Sequence, residues 1–217
     1  MTTAATLVCA HRGASAQLPD NSLAAFEAAI AVGADMIEAD VRRLADNTLV
    51  LSHGPAPAGS TPVRLDDLVR LAAGRIALDL ELKEAGYEER VLHAVDPRPP
   101  GLILTSFLPD ALARLRELDP AITTGLLIGP HDHGRDLRGR AAACGAQLLC
   151  PHVSQITDAL RSTAGGSRPL FVWTVNEPRA LAGMLCDPSV GCVITDVPGV
   201  ALDIRDVGLS GQLTARA

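Results

Sequence analysis

Two rhythms of apolar and polar residues alternate along this chain. Short apolar runs fall at positions 6–10, 36–41 (continued at 48–52), 76–82, 101–105, 123–128, 147–150, 170–173 and 192–195. Amphipathic stretches lie between them, at 22–32, 65–72, 88–95, 110–118, 136–144, 154–162 and 177–185. In one of these, Leu112, Leu115 and Leu118 recur every third residue around Arg114 and Glu117, the apolar stripe of a helix. Strand-like runs joined through helices by short connections predict a parallel sheet covered by helices. Eight such runs in 217 residues predict an α/β fold, a compact (β/α)₈ TIM barrel.

Gly and Pro punctuate the runs without forming a linker, so residues 1–217 are expected to make a single domain. The stretch 54–62, Gly-Pro-Ala-Pro-Ala-Gly-Ser-Thr-Pro, predicts an exposed loop. Periodicity is weak from about residue 205, and a weakly ordered tail is expected there.

In a barrel of this kind chemistry sits at the C-terminal ends of the strands. The first strand ends in His11-Arg12-Gly13, and the second carries Glu38 and Asp40 with a continuation ending at His53. The third carries Asp79, Glu81 and Lys83; the sixth leads to His152, the seventh ends at Trp173, and the eighth runs into Asp196. Glu38 and Asp40 are two residues apart and share a face, while Ile37, Ala39 and Val41 take the other. Since the apolar set must face the helices, both carboxylates point into the barrel mouth, and so do Glu81 and Lys83. Three carboxylates converging there repel one another unless a cation neutralises them. Oxygen-only ligation by Glu38, Asp40 and Glu81 points to Mg²⁺ or Ca²⁺ rather than Zn²⁺. The alternative is a metal-free network in which Arg12 and Lys83 pair with the acids.

Composition sharpens this picture at three points. A net charge of −6 disfavours nucleic acid and anionic membrane surfaces as partners, so an anionic substrate needs local positive charge. Of nineteen basic residues eighteen are Arg, so the single lysine, Lys83, stands out beside the acids. Five cysteines without a CxxC pair suit free thiols in a reducing, cytoplasmic setting, and no run of apolar residues is long enough to span a membrane. With His11 and His53 beside the cluster, one imidazole can take a proton from a nucleophile while the other protonates a leaving oxygen. Arg12 can grip a phosphate with two donors and Lys83 can act on another oxygen as a point charge.

At these residues the chain resembles the glycerophosphodiester phosphodiesterase family. The matching blocks, in order, are Ala10-His11-Arg12-Gly13-Ala14 with Pro19-Asp20-Asn21-Ser22, then Gly33 to Val41, and Val50-Leu51-Ser52-His53. Leu80-Glu81-Leu82-Lys83, Thr105-Ser106-Phe107, Val172 to Asn176 and Ile194-Thr195-Asp196-Val197-Pro198 follow. The resemblance implies a barrel enzyme that releases glycerol 3-phosphate and an alcohol from small glycerophosphodiesters. It matches Glu38, Asp40 and Glu81 to metal ligands, His11 and His53 to the acid/base pair, and Arg12 and Lys83 to phosphate-binding positions. It also implies attack by the glycerol 2-hydroxyl, through a cyclic phosphate that water then opens. Trp173 is expected to wall the pocket, and His152 and Asn176 are candidate substrate contacts. Two departures stand out: Gly54 replaces the Asp usual after the second His, and the inserted subdomain common after that point is missing. The short loop admits a second reading, a phospholipase D-type enzyme acting on lysolipids, although no exposed aromatic or basic amphipathic stretch suggests stable membrane association. Gly54 motivates a third, a barrel that binds phosphodiesters without turning them over.

Among secondary candidates, His131-Asp132-His133 is expected to be a solvated loop, Asn21 and Ser22 helix N-caps, and Asp196 a turn-former or cap.

Overall fold

A computed structural model of the chain describes residues 5–56, 59–132, 136–164 and 170–214. The strands are β1 (Leu7–His11), β2 (Met36–Arg43), β3 (Leu49–Leu51), β4 (Ala77–Leu82), β5 (Ile103–Ser106), β6 (Thr123–Ile128), β7 (Leu148–Pro151), β8 (Leu170–Val172) and β9 (Val190–Thr195). The helices are α1 (Leu23–Ala31), α2 (Leu65–Ala72), α3 (Glu88–Ala94), α4 (Pro109–Leu118), α5 (Leu137–Ala143), α6 (Asp158–Ala164), α7 (Pro178–Leu185) and α8 (Pro198–Thr214). Eight strands run parallel in the order β1-β2-β4-β5-β6-β7-β8-β9, and β1 closes the ring by pairing with both β2 and β9. The chain is therefore a (β/α)₈ barrel. Closure removes every parallel sheet edge.

β3 departs from the expected continuation of the second strand. It turns back antiparallel against the end of β2, with Val41 opposite Leu51, and stays outside the ring. This hairpin carries His53 back to the barrel mouth.

Alternation sorts the side chains into two cores. Leu78, Leu80 and Leu82 of β4 face outward into the layer beneath the helices, with Phe26 and Leu115. A separate plug fills the barrel below the mouth, from Cys9, Met36, Ile103, Leu127, Phe171 and Ile194 among others. The inward positions above that plug are the polar ones. Register then places them: His11 lies opposite Glu38, Glu38 opposite Asp79, Asp40 opposite Glu81, and Glu81 opposite Thr105.

One other expectation changes. The run at 154–162 divides into a short 3₁₀ turn, Val153–Gln155, and α6 beginning at Asp158. Helix α8 runs through Thr214, and Gly199, Gly208 and Gly211 with an exposed Val207 blur its pattern. Tertiary contacts hold its first half. Ala201 and Leu202 are buried, and Arg205 pairs at 2.5 Å with Asp35, whose carboxylate also accepts from the Val8 amide of β1.

Leu80 is fully buried between strand and helices. Leu80→Ala is expected to lower unfolding stability by about 2–5 kcal/mol, read by chemical denaturation at constant m. A loss below about 0.5 kcal/mol, the size of an ordinary surface substitution, would contradict this packing.

Candidate active site

The site begins with a backbone contortion after β1. Arg12 and Gly13 both adopt positive φ, 57° and 86°, and so does Asn21 at 53°. A Cβ on Gly13 would lie 2.6 Å from the Ala25 backbone, so only glycine fits. The turn aims the Arg12 amide at Glu38, whose backbone carbonyl and Oε2 each accept from it at 3.0 Å. Positive φ at two non-glycine residues costs on the order of 1–3 kcal/mol each and persists where surrounding contacts over-determine it.

Those contacts converge on Asp40. Its carboxylate is wholly buried, with Arg12 Nε at 2.9 Å, Lys83 Nζ at 3.1 Å and Asn21 Nδ2 donating at 2.9 Å. Asn21 Oδ1 also accepts from the Asp40 amide at 3.1 Å. The helix cap belongs to Ser22 alone, which accepts from Ala25 N, while Asn21 braces Asp40. Burial raises the Asp40 pKa, but Lys83, Arg12 and Asn21 outweigh it and hold the carboxyl at about 2.

The other acids lack such compensation. Burial pushes Glu38 well above the usual carboxylate range, reinforced by Asp40, Glu81 and Asp79. Burial likewise raises Glu81 to about 7 against the pull of Lys83, and Asp79, which accepts from Thr105 Oγ1 at 2.8 Å, to about 7. One oxygen from each of Glu38, Asp40 and Glu81 lies within 4.8 Å of the others. Glu81 Oε1 is buried and has no hydrogen bond, although Lys83 Nζ stands 2.7 Å away in ion-pair contact. Three clustered carboxylate oxygens, two of them on groups reluctant to ionise, fit a hard divalent cation. The cluster could hold a metal ion.

Both histidines flank the cluster. His11 Nδ1 meets Asp196 Oδ1 at 2.6 Å, and its Nε2 lies 3.9 Å from Glu38 Oε2. Asp196 is itself gripped by Ser15 Oγ at 2.9 Å and Asn176 Nδ2 at 2.5 Å. Burial raises the Asp196 pKa, yet His11, Asn176 and Ser15 bring it to about 2. So Asp196 orients His11, a role that its expected part as turn-former missed. Barrel closure was the available signal, because the end of the last strand must neighbour the end of the first. His53 Nδ1 lies 3.4 Å from Lys83 Nζ and 3.5 Å from Asp40 Oδ1, and burial and Arg12 lower its pKa.

Above the acids opens a cavity of about 120 Å³. His11, Arg12, Glu38, His53, Glu81 and Lys83 line its polar side, and Phe107, Leu127, Trp173 and Ile194 its apolar side. Trp173 donates from Nε1 to the Cys150 carbonyl at 2.7 Å and meets Phe107 edge-on, with ring centroids 5.6 Å apart. Phe107 is a wall residue that strand-end reading passed over. His152 and Asn176 lie outside the cavity lining. His152 packs edge-on against Trp173 at 5.1 Å and bonds Ser154, while Asn176 spends its amide on Thr195 and Asp196. Asp132 accepts from the Gly129 amide at 2.8 Å and pairs with Arg140, and His133 lies outside the described residues.

Fold and site together define a barrel enzyme with an acidic cluster, two histidines and two cationic side chains at its mouth. The family model described as the glycerophosphoryl diester phosphodiesterase family matches residues 11–84 and 79–200, and the chain belongs to that family. It is 27% identical to YhdW of Bacillus subtilis (strain 168), over 88% of this chain and 94% of YhdW. It is 26% identical to a glycerophosphodiester phosphodiesterase of Caldanaerobacter subterraneus subsp. tengcongensis, over 92% and 97% of the two chains. Among solved structures, an Oleispira antarctica phosphodiesterase in complex with the product sn-glycerol-3-phosphate superposes with a TM-score of 0.82 at 21% identity, covering 93% of this chain and 97% of that one.

Asn21→Ala would strip the buried Asp40 of a side-chain donor and its amide of an acceptor. The expected cost is about 1–3 kcal/mol of stability by chemical denaturation, and an unchanged midpoint would contradict the bracing role.

Proposed function

We propose that this enzyme hydrolyses small glycerophosphodiesters to glycerol 3-phosphate and an alcohol, with His11 and His53 as the acid/base pair and Mg²⁺ or Ca²⁺ held by Glu38, Asp40 and Glu81. The observation that carries the reading is the convergence of three buried carboxylate oxygens within 4.8 Å, next to a histidine already oriented by Asp196. The product seen in the Oleispira antarctica phosphodiesterase supports the substrate class.

When bound, the cation supplies Lewis-acid polarisation of the phosphoryl oxygens. The chain's own groups do the rest. Arg12 and Lys83 face the cavity and offer positive charge to the phosphate, although in this arrangement both also pair with Asp40. Asp196 accepts a hydrogen bond from the Nδ1–H of His11, which leaves Nε2 free to take the proton of the glycerol 2-hydroxyl as its oxygen bonds to phosphorus. The bond from phosphorus to the alcohol oxygen breaks, and His53 gives that oxygen a proton. Water then adds to the cyclic phosphate with the roles reversed, opening the ring to glycerol 3-phosphate. Trp173 and Phe107 form the apolar wall against which the substrate's carbon skeleton rests.

No described helix is long and apolar enough to cross a membrane. Four buried free cysteines with only Cys186 exposed suit a cytoplasmic setting.

The test is glycerol 3-phosphate release from glycerophosphocholine and glycerophosphoethanolamine, with lysophosphatidylcholine as the lipid arm, in Mg²⁺, Ca²⁺ and EDTA. Turnover is expected with metal and not with EDTA, and His11→Ala and Glu38→Ala should lower kcat by about 10²–10⁴-fold. A cyclic phosphate should be visible by phosphorus NMR early in the reaction. Full activity in EDTA, or in His11→Ala, would contradict the proposal.

A further inference from the structure

His53 differs from His11 in how it is held. Its side chain is 55% exposed, on a loop where the next residue, Gly54, brings no side chain of its own. Its ring contacts, to Lys83 at 3.4 Å and Asp40 at 3.5 Å, lie at the limit of hydrogen bonding. A group this exposed and this loosely contacted needs another source of position if it is to meet a reacting oxygen.

The backbone supplies one. The carbonyl of His53 accepts two hydrogen bonds from the edge of a single guanidinium, Arg42 Nε at 3.1 Å and Nη2 at 3.0 Å. Arg42 Nη1 in turn meets the carboxylate of Glu84. The Arg42 side chain itself is only 19% exposed, although Glu84 and the bonds to the His53 carbonyl face solvent, and its planar fork fixes the geometry of both contacts. Its two footings are well placed. Arg42 lies two residues beyond Asp40 on β2, and Glu84 directly follows Lys83 after β4. Buried Tyr87 ties those footings together, donating from its hydroxyl to the Val41 carbonyl at 2.7 Å and accepting from the Glu84 amide at 3.3 Å. Ser52 closes the loop from the other side through the Gly54 carbonyl at 2.8 Å.

We infer that Arg42, anchored by Glu84, is a positioning residue for His53: its guanidinium clamps the His53 carbonyl and sets the imidazole relative to Asp40 and Lys83. The inference rests on the reading of His53 as one of the acid/base pair. Arg42 reaches no cavity-lining position and touches the reaction only through His53.

The test joins kinetics to a readout independent of turnover. In the Mg²⁺-loaded full chain, Arg42→Ala should lower kcat for glycerophosphocholine by roughly ten- to a hundredfold, with KM and melting temperature held. Arg42→Lys, which keeps the charge and a donor but not the two-donor edge, should restore part of that rate, and Glu84→Ala should show a smaller loss in the same direction. In a His53→Ala background the Arg42→Ala change should cost nothing further, because the two act as one unit. Side-chain NMR of histidine-labelled protein, with six histidines to resolve, should shift or broaden the His53 signal in Arg42→Ala and leave His11 in place. An unmoved His53 signal overturns the inference, as does an unaltered kcat, or an equal loss of rate with and without His53. If the wild-type chain turns over no glycerophosphodiester, the proposed function fails by itself, and the His53 signal still decides whether Arg42 positions it.

Discussion

Mutual repulsion among buried carboxylates is the constraint on which this barrel is organised. Glu38, Asp40, Asp79 and Glu81 all point inward from two adjacent strands, and all four are buried. Only Asp40 is fully compensated, by Lys83, Arg12 and Asn21. To reach it, the chain accepts positive φ at Arg12 and Asn21 and a glycine at position 13 where nothing larger fits. The cost of that backbone is met by contacts to one carboxylate. Glu38 and Glu81 remain with raised pKa values, a state that a divalent cation in the cluster would relieve.

Around this centre the two histidines are held by opposite devices. Barrel closure sets Asp196, at the end of β9, against His11 at the end of β1, and a short hydrogen bond fixes the ring itself. His53 arrives on the β3 hairpin, outside the ring of parallel strands, and its fixation passes through its backbone. The aromatic corner of Phe107 and Trp173 completes the mouth on the side away from these charges, and the Trp173 hydrogen bond to the Cys150 carbonyl ties it to β7.

The parallel barrel was legible because outward Leu78, Leu80 and Leu82 alternate with inward Asp79 and Glu81, a period that only a strand satisfies. The same alternation brought Glu38, Asp40 and Glu81 into one cluster and gave Lys83 its place. Less legible were features that depend on pairing between distant segments. Asp196 looks like a turn residue until closure places it beside His11. Asn21 looks like a helix cap until the left-handed turn after β1 swings it onto Asp40. Helix α8 was hidden for a different reason: with three glycines and exposed Val207 it has no stripe, and its first half is anchored by Arg205 and Asp35. The direction of β3 was lost because a three-residue strand has the same alternation whichever way it runs.

The central claim is that the unequal carboxylates form a site for one divalent ion, and calorimetric titration of the folded chain with Mg²⁺ and with Ca²⁺ tests it most directly. The account predicts one ion bound per chain. It also predicts that Glu38→Gln with Glu81→Gln abolishes binding and leaves a folded barrel no less stable, since two reluctant charges have been removed. A folded wild-type chain that takes up neither ion would contradict it, leaving Arg12 and Lys83 to neutralise the acids.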